Sequence, residues 1–391
     1  MKTIQIRGAR THNLKNVDLT IPRDQFIVLP VFSLYAQQLP GATPLLIGIA
    51  VGIYGLTQGL LQIPFGIGSD RIGRKPIILL GLIIFCLGSL IAALSHSIIG
   101  IIIGRTLQGA GAVGSATIAL VADLTRDNQR TKAMALVGIS IGFAFASAML
   151  LGPLLSQWIG VPGLFALTAI LGVLAIFLLS AVVPNPPPLT LHHSQALGSF
   201  RAFLSLLTNK QLAPLYWGIF ILHAILTSSF IVIPISLQTV RHLTASKQWT
   251  LFIPALIFAS IISLALLRKI GSRTPGQWLM IGAIVILGFS ELLFQHTLEM
   301  NLGPAISLFL FFSAFTLLEA CLPAFISLAA PAASRGAAMG IFSSSQFLGI
   351  FVGGLVGGWL YGVAGIDSIY SACTGLCVLW LLLILVSSKR H

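Results

Sequence analysis

The sequence contains few charged residues and very few acids. Charged residues make up 8% of its 391 residues, and only 9 residues are Asp or Glu, whereas soluble globular domains contain about 25% charged residues. This scarcity excludes a water-soluble globular domain for most of the chain. The pattern G-x-x-x-x-G-K-[ST] is also absent, which excludes an ATP-binding phosphate loop of that type.

Cysteine is scarce as well. The four cysteines, Cys86, Cys321, Cys373 and Cys377, all fall in apolar stretches, where a thiol behaves as a small hydrophobic group. Cys373 and Cys377 share a helix face, but no further His or Cys stands near them in sequence, as a zinc site would require. The pattern predicts neither a disulfide nor a metal site.

Long apolar runs dominate what is present. Hydrophobic residues make up 56% of the chain and its mean hydropathy is +0.99. A bilayer core about 30 Å thick needs about 20 apolar residues per helix, and eleven runs reach that length: 44–67, 76–95, 98–122, 133–158, 164–183, 212–236, 249–267, 278–295, 303–329, 337–361 and 366–387. A twelfth run, Phe26 to Ala36, would rise only about 16 Å as a helix. The sequence predicts an all-α membrane protein with eleven full spans and a truncated first helix.

The basic residues indicate the orientation. Net charge is +13, but the charges are scattered through short connections and form no single patch for nucleic acid. Alternate connections hold most of them: Arg71, Arg74, Lys75, Arg126, Arg130, Lys132, Arg201, Lys210, Arg268, Lys269, Arg273, Arg335, Lys389 and Arg390. The other connections hold Arg241 and Lys247. Because basic residues near span ends stay cytoplasmic, the C-terminus is predicted to be cytoplasmic.

The same distribution divides the chain into parts. The connection 184–211 opens with Pro184-Asn-Pro-Pro-Pro188, a composition typical of a linker. It separates an N-terminal bundle, 26–183, from a C-terminal bundle, 212–391. Residues 1–25 are polar and basic, and are treated as a separate segment.

The first connection between full spans carries the most specific motif. Residues 66–75 are Gly-Ile-Gly-Ser-Asp-Arg-Ile-Gly-Arg-Lys, which resembles motif A of the major facilitator superfamily, G-x-L-[GS]-D-[RK]-x-G-[RK]-[RK], with Gly68 in place of Leu. The resemblance implies two six-helix bundles, alternating access, and a cytoplasmic gate formed by Gly66, Asp70, Arg71, Gly73, Arg74, Lys75 and, as the partner of Arg74, Asp123. The alternative is a solvated basic turn that only obeys the charge rule.

Arg105 lies within an apolar run, where a charge is costly unless it faces the bundle interior and is paired. With Gln108 and the following glycines it resembles motif B of the same superfamily, which is associated with coupling to the proton gradient. The alternative is an arginine that reaches the membrane surface. Residues 109–114 also fit G-x-G-x-x-G, but no strand or βαβ unit accompanies them, so a nucleotide site is rejected in favour of close helix packing.

A third motif concerns the direction of transport. Gly142 and Gly152-Pro153 resemble the antiporter motif C, g-x-x-x-G-P-x-x-G-G, although Ala148 and Ser156-Gln157 depart from it. The alternative is a simple proline kink.

Glu319, His223 and Glu291 are titratable residues within predicted spans. Glu319 lies midway along its run, where an ionised carboxylate is expensive, so it is expected to be neutral or paired, and it is the leading candidate for proton coupling. His223 is a second candidate. The alternatives are a structural carboxylate and a satisfied buried histidine. Glu291 lies near the end of its span and is expected to contact water.

From about residue 26 onward, segments 49–58, 62–66 and 335–349 resemble the YajR-like branch of drug:proton antiporters. This implies a non-enzymatic, monomeric exporter of small amphipathic molecules in the bacterial inner membrane, with protons, lipid and a small-molecule substrate as partners and no cofactor beyond the proton gradient. The alternatives are export of a metabolite or sugar by the same fold, and an inactive fusion product.

The first 28 residues, MKTIQIRGARTHNLKNVDLTIPRDQFIV, resemble the start of the DNA-repair ATPase of the ABC excinuclease. That family continues into a phosphate-binding loop, which this chain lacks, so ATPase activity is judged absent. We expect the junction to remove half of the first helix and to impair insertion or transport.

Overall fold

The computed structural model describes residues 25–126, 129–184, 200–270, 277–331 and 334–388. All regular structure in these ranges is helical, as the composition predicts. The helices are α1 Gln25–Ala36, α2 Pro44–Ile72, α3 Arg74–Leu94, α4 Ile98–Ala110, α5 Gly114–Asp123, α6 Arg130–Ala181, α7 Phe200–Leu207, α8 Ala213–Thr239, α9 Trp249–Ile270, α10 Gln277–Thr297, α11 Gly303–Ala329, α12 Arg335–Ala364 and α13 Ile366–Ser388.

Ten helical segments within the described ranges are long and apolar enough to cross a bilayer, and they match ten of the eleven predicted spans. The other predicted span, 133–158, forms the first part of α6, where many side chains fall outside the described residues. Helix α1 covers the predicted apolar run Phe26 to Ala36. The predicted segment 1–25, apart from Gln25, and residues 185–199 of the predicted linker also fall outside them.

The helices contain two breaks, of which one interrupts a span predicted to be continuous. The span predicted at 98–122 is broken between α4 and α5 at Gly111–Val113, where Gly111 packs against the backbone of α3 at Gly81 and Phe85. Helix α6 contains a break at Gly160, whose φ of 66° favours glycine. This second break lies between the spans predicted at 133–158 and 164–183 and confirms their separation.

The N-terminal half, α1–α6, and the C-terminal half, α8–α13, meet chiefly through α2 with α12, α1 with α8 and α6 with α9. Gly48 of α2 lies against Gly354 and Gly358 of α12, while Gly59 lies against Ser344 and Phe347. The two helices therefore run antiparallel along a seam that begins at Pro44. We call the end of the molecule at residues 66–75 the basic end, and the end at Pro44 the opposite end; the seam occupies the half nearer the opposite end.

The glycines at this seam confirm the predicted role of close helix approach. A Cβ added at Gly52 would lie 2.8 Å from the carbonyl oxygen of Phe351, which leaves no room for a side chain. Gly349, Gly353 and Gly357 on another face of α12 meet the backbone of α8 at Phe220, Ala224 and Ser228 in the same way. Small residues thus let α12 contact α2 and α8 together, and α8 is buried over nearly its whole length.

Candidate functional site

Motif A forms a partly buried ionic cluster at the basic end. Helix α2 ends at Ile72, Gly73 turns the chain with a φ of 113°, and α3 begins at Arg74. The Arg74 guanidinium donates through Nε to Oδ2 of Asp123 at 2.8 Å and through Nη1 to Asp70 and to Ser69. Its side chain is 10% exposed. The pairing of Arg74 with Asp123 predicted from sequence is therefore present, and it ties α3 to the end of α5.

The other motif A residues surround this cluster. The Lys75 ammonium donates to the carbonyl oxygen of Val183 just beyond the end of α6, and Arg71 is exposed. Gly66 faces Ser115 at the start of α5, and the hydroxyl of Ser115 donates to the backbone of α2 at Gln62. Motif A thus connects α2, α3, α5 and α6 at one end of the N-terminal half.

Arg105 is buried between α4 and α2 and does not reach the surface. It is 5% exposed. Its Nε donates to the carbonyl oxygen of Ala50 at 3.3 Å and Nη2 to that of Val51 at 3.2 Å. These contacts contradict the alternative of a surface-reaching arginine, and they match the expectation that the charge faces the bundle interior.

Two side chains complete the Arg105 environment. Nη1 of Arg105 donates to Oε1 of Gln108 at 3.2 Å, and Nε2 of Gln108 donates to Ser89 at 2.8 Å. The Cζ atom of Arg105 lies 5.1 Å from the centroid of the Tyr54 ring, within cation–π range. Sequence reasoning missed Tyr54, because its contact with Arg105 depends on how α2 packs against α4.

His223 and Glu319 meet in the C-terminal half through Gln346. Nε2 of Gln346 on α12 lies 2.9 Å from Nε2 of His223 on α8 and 3.1 Å from Oε1 of Glu319 on α11. His223 is 1% exposed, and the Glu319 side chain is 37% exposed. Two of the three residues predicted for proton coupling, Glu319 and His223, therefore belong to one cluster, and the third, Arg105, lies apart from them in the N-terminal half. Gln346 was missed, although its position after the Ser343-Ser344-Ser345 run was a signal of a polar helix face.

The hydrogen bonds of this cluster constrain its protonation. Nδ1 of His223 lies 3.2 Å from the carbonyl oxygen of Ile219 and donates to it. With the Gln346 amide nitrogen as donor to both partners, Nε2 of His223 is an acceptor and the imidazole is neutral. A proton added at Nε2 would face an N–H group, while Oε2 of Glu319 lies 3.7 Å away. If the amide turned, its oxygen would instead face a protonated Nε2 and could accept from it.

The motif C residues lie in the first part of α6. Gly152 and Pro153 are buried, and the side chain of Ser156 donates to the carbonyl oxygen of Pro153 at 2.9 Å. The helix continues through Pro153, and the non-helical backbone angles lie at Gly160 instead. Gly142 is within α6, but its surroundings are outside the described residues.

Glu291 does not contact water, contrary to the sequence-based expectation. It is 0% exposed, and its Oε1 accepts a hydrogen bond from the Ser229 hydroxyl at 2.8 Å. The prediction was wrong because position along α10 does not reveal which neighbouring helices cover the residue. Helices α8 and α13 cover Glu291.

The fold and these clusters define a multi-pass helical membrane protein made of two linked halves. The sequence profile of the Major Facilitator Superfamily matches residues 23–333. The chain therefore belongs to the Major Facilitator Superfamily and is a membrane transporter.

Similar proteins agree with this assignment. The inner membrane transport protein YajR of Escherichia coli is 42% identical over 361 residues, which cover 91% of this chain and 78% of YajR. The uncharacterized transporter BU466 of Buchnera aphidicola is 34% identical over 84% of each chain. Among solved structures, the nucleoside transporter NupG superposes with a TM-score of 0.71 at 16% identity, covering 93% of this chain and 97% of NupG. The human organic anion transporter MFSD10 does so with a TM-score of 0.68 at 20% identity, covering 92% and 96% of the two chains. These structures show the fold alone.

Proposed function

We propose that this transporter exports small amphipathic molecules in exchange for protons, by alternating access in the bacterial inner membrane. The observation that carries the proposal is the Glu319–Gln346–His223 cluster, in which a partly exposed carboxyl and a buried imidazole share one amide across three helices. Intramembrane ionisable groups are costly and mark proton or substrate pathways. The 42% identity to an inner membrane transport protein supports the location.

The orientation follows from the charge distribution. We place the basic end and the C-terminus in the cytoplasm, because cytoplasmic connections are rich in Lys and Arg. The seam between α2 and α12 then closes the periplasmic side, which corresponds to an inward-facing conformation. The protein acts as a monomer without enzymatic activity, nucleic acid or cofactor, and the proton gradient drives it.

The transport cycle uses the titration of Glu319. A proton bound at the carboxyl removes its charge and weakens the hydrogen bond that it accepts from Gln346, so the amide can turn toward His223 or toward substrate. Release of the proton on the cytoplasmic side restores the bridged arrangement. Because the three groups lie on α8, α11 and α12, each arrangement favours a different packing of these helices, which is the differential interaction that alternating access requires.

The N-terminal half supplies the cytoplasmic gate and a second polar centre. The hydrogen bonds of Arg74 with Asp70 and Asp123 hold the start of α3 against the end of α5. These hydrogen bonds can therefore form or break as the basic end opens and closes. Arg105 binds the α2 backbone at Ala50 and Val51, beside the glycines that form the seam with α12. A change in the packing around Arg105 in the N-terminal half can therefore be transmitted through α2 to the seam.

The test uses Glu319→Gln with Glu299→Gln as the matched control. Glu299 is exposed in the connection between α10 and α11. In inside-out vesicles with an imposed pH gradient, uptake of dyes such as ethidium and Hoechst 33342 should lose its dependence on the gradient in Glu319→Gln alone. Unchanged dependence in Glu319→Gln would remove this residue from the mechanism. If neither the unmodified chain nor a version with a lengthened α1 moves any of the dyes, the amphipathic substrate class is wrong, and metabolite or sugar export is the class to test next.

Residues 1–25 form part of the proposal as a foreign segment related to the DNA-repair ATPase of the ABC excinuclease. The superfamily match begins at residue 23, close to the junction. Reading the genomic DNA across codons 24–32 tests whether the junction is encoded. A version in which residues 1–25 are replaced by an apolar segment that lengthens α1 should transport faster, and equal rates would contradict the expected impairment.

A further inference from the structure

Glu291 is a buried carboxyl that the proposed transport cycle does not use. It lies on α10 and is 0% exposed, as is its partner Ser229 on α8. Ser229 donates to Oε1 of Glu291 at 2.8 Å, and Oε2 has no hydrogen-bond partner among the described residues. No basic side chain in the described part of the chain pairs with it. A carboxylate in such a site would lack both water and a counter-charge.

The groups around Glu291 define the direction of its hydrogen bonds. Sγ of Cys373 on α13 lies 3.7 Å from Oγ of Ser229. Because the Ser229 proton is directed to Glu291, the thiol is the donor to the Ser229 oxygen. In a protonated Glu291, Oε1 would therefore be the carbonyl oxygen, and the acid proton would reside on Oε2.

The other facing groups carry no charge that could stabilise a carboxylate. Helix α8 contributes Ser229, and α13 contributes Tyr370, Cys373 and Cys377. Helix α11, which also packs on α10, has Glu319 and Cys321 as its titratable residues, and Glu319 is bonded to Gln346. The hydroxyl oxygens of Tyr370 and Ser236 are hydrogen-bonded at 3.1 Å, and the Tyr370 ring stacks on that of Phe294. Ionisation of Glu291 would place an unpaired charge among these groups, which is strongly unfavourable.

We propose that Glu291 is a second proton-bearing carboxyl of the C-terminal half, separate from Glu319, and that its neutral form holds α8 against α10 and α13 through Ser229. Helix α8 also carries His223. Glu291 is therefore a positioning residue for the Glu319–Gln346–His223 cluster, and it retains its proton while Glu319 exchanges one. The claim that Glu291 carries a proton does not depend on the proposed transport function. The positioning role does rest on that function.

Infrared spectroscopy of the purified full chain tests the proton directly. At neutral pH the unmodified protein should show the carbonyl stretch of a protonated carboxyl, and Glu291→Gln should lose that band. Ser229→Ala should move it to higher frequency, because one hydrogen bond to the carbonyl is lost. Absence of any difference between the unmodified protein and Glu291→Gln in this region would overturn the proposal.

A pH series separates a proton-bearing role from simple packing. Unfolded Glu is ionised at neutral pH, so a folded state that keeps the proton loses stability as pH rises, by up to about tenfold in the folding equilibrium constant per pH unit. Glu291→Gln, which is neutral at every pH, should lack this fall between pH 6 and 9, whereas Glu319→Gln should retain it. Parallel slopes for the unmodified protein and Glu291→Gln would contradict the proposal.

The positioning role has its own readout. Because Gln can accept the Ser229 hydrogen bond, Glu291→Gln should keep gradient-driven dye transport at neutral pH and extend it to more alkaline pH. Glu291→Leu removes the acceptor and should lower transport at every pH. If Glu291→Gln loses its dependence on the proton gradient as Glu319→Gln does, Glu291 takes part in exchange and the positioning role is wrong. If no variant transports dye, the proposed function fails, and the infrared result still decides where the proton resides.

Discussion

The hydroxyl of Ser344 on α12 donates a hydrogen bond to the carbonyl oxygen of Gly59 on α2 at 3.2 Å, and this bond crosses between the two halves of the transporter. It lies at the inner end of the glycine seam. From there to Pro44, backbone meets backbone with almost no intervening side chains. The stability of the closed opposite end therefore depends on glycine at these positions.

Gly354→Ala should open this seam. Its added Cβ would lie 2.9 Å from Cα of Gly52, and overpacking of this kind costs about 1–3 kcal/mol, which shifts a two-state equilibrium about 5- to 150-fold. Spin labels can be attached at Gln38 and Val363, both exposed at the opposite end, in a Cys86→Ser background. In that background, Gly354→Ala should lengthen the distance between the two labels.

Gly282→Ala is the matched control for the seam, because a Cβ there meets nothing within 4 Å. Its distance distribution should equal that of the parent. If Gly354→Ala also leaves the distribution unchanged, the glycine seam does not set the equilibrium between conformations.

Arg74→Lys should impair the basic-end cluster although it keeps the charge. The guanidinium contacts three side chains at once, and an ammonium cannot reproduce that fork. Each hydrogen bond to a charged group contributes about 1.5–3 kcal/mol, so loss of one or more of these contacts should lower transport about tenfold in a vesicle assay. Arg71→Lys, at an exposed position of the same motif, should have little effect.

A double-mutant cycle with Arg74→Ala and Asp123→Ala measures the pair itself. Residues in direct contact show coupling of about 0.5–3 kcal/mol, so the two changes together should cost less than their sum. Strict additivity would show that the observed contact does not contribute to transport.

Gln346→Met should separate His223 from Glu319 while keeping the length of the side chain. Without the shared amide, the hydrogen-bonded link between the imidazole and the carboxyl is lost, so the pH profile of transport should change shape. When His223→Asn is added to Gln346→Met, the pH profile of transport should change little further. The control is Gln211→Met, at an exposed position before α8. An unaltered profile in Gln346→Met would contradict the bridging role.

The sequence was sufficient for properties that follow from composition and local spacing. Apolar run length predicted ten spans that the structure contains, and the resemblance of residues 66–75 to motif A implied the pairing of Arg74 with Asp123. Gln346, Tyr54 and Ser229 could not be predicted, because each gains its role from a partner on another helix. Glu291 shows the same limit: its distance from the span end suggested water, and the packing of α8 and α13 reversed that expectation.

Arg105→Lys keeps the net charge but should destabilise the N-terminal half. Arg105 uses three nitrogen atoms for Ala50, Val51 and Gln108 and lies on the Tyr54 ring, and lysine cannot satisfy all of these partners from one ammonium group. Hydrogen bonds to charged groups are worth about 1.5–3 kcal/mol each, so a loss of at least about 1.5 kcal/mol is expected in denaturant unfolding of the purified protein. Arg126→Lys, at an exposed position shortly after α5, is the control and should unfold as the parent does. If Arg105→Lys matches the control, the backbone contacts of Arg105 with α2 do not stabilise the half, and the proposed communication from Arg105 to the seam loses its physical basis.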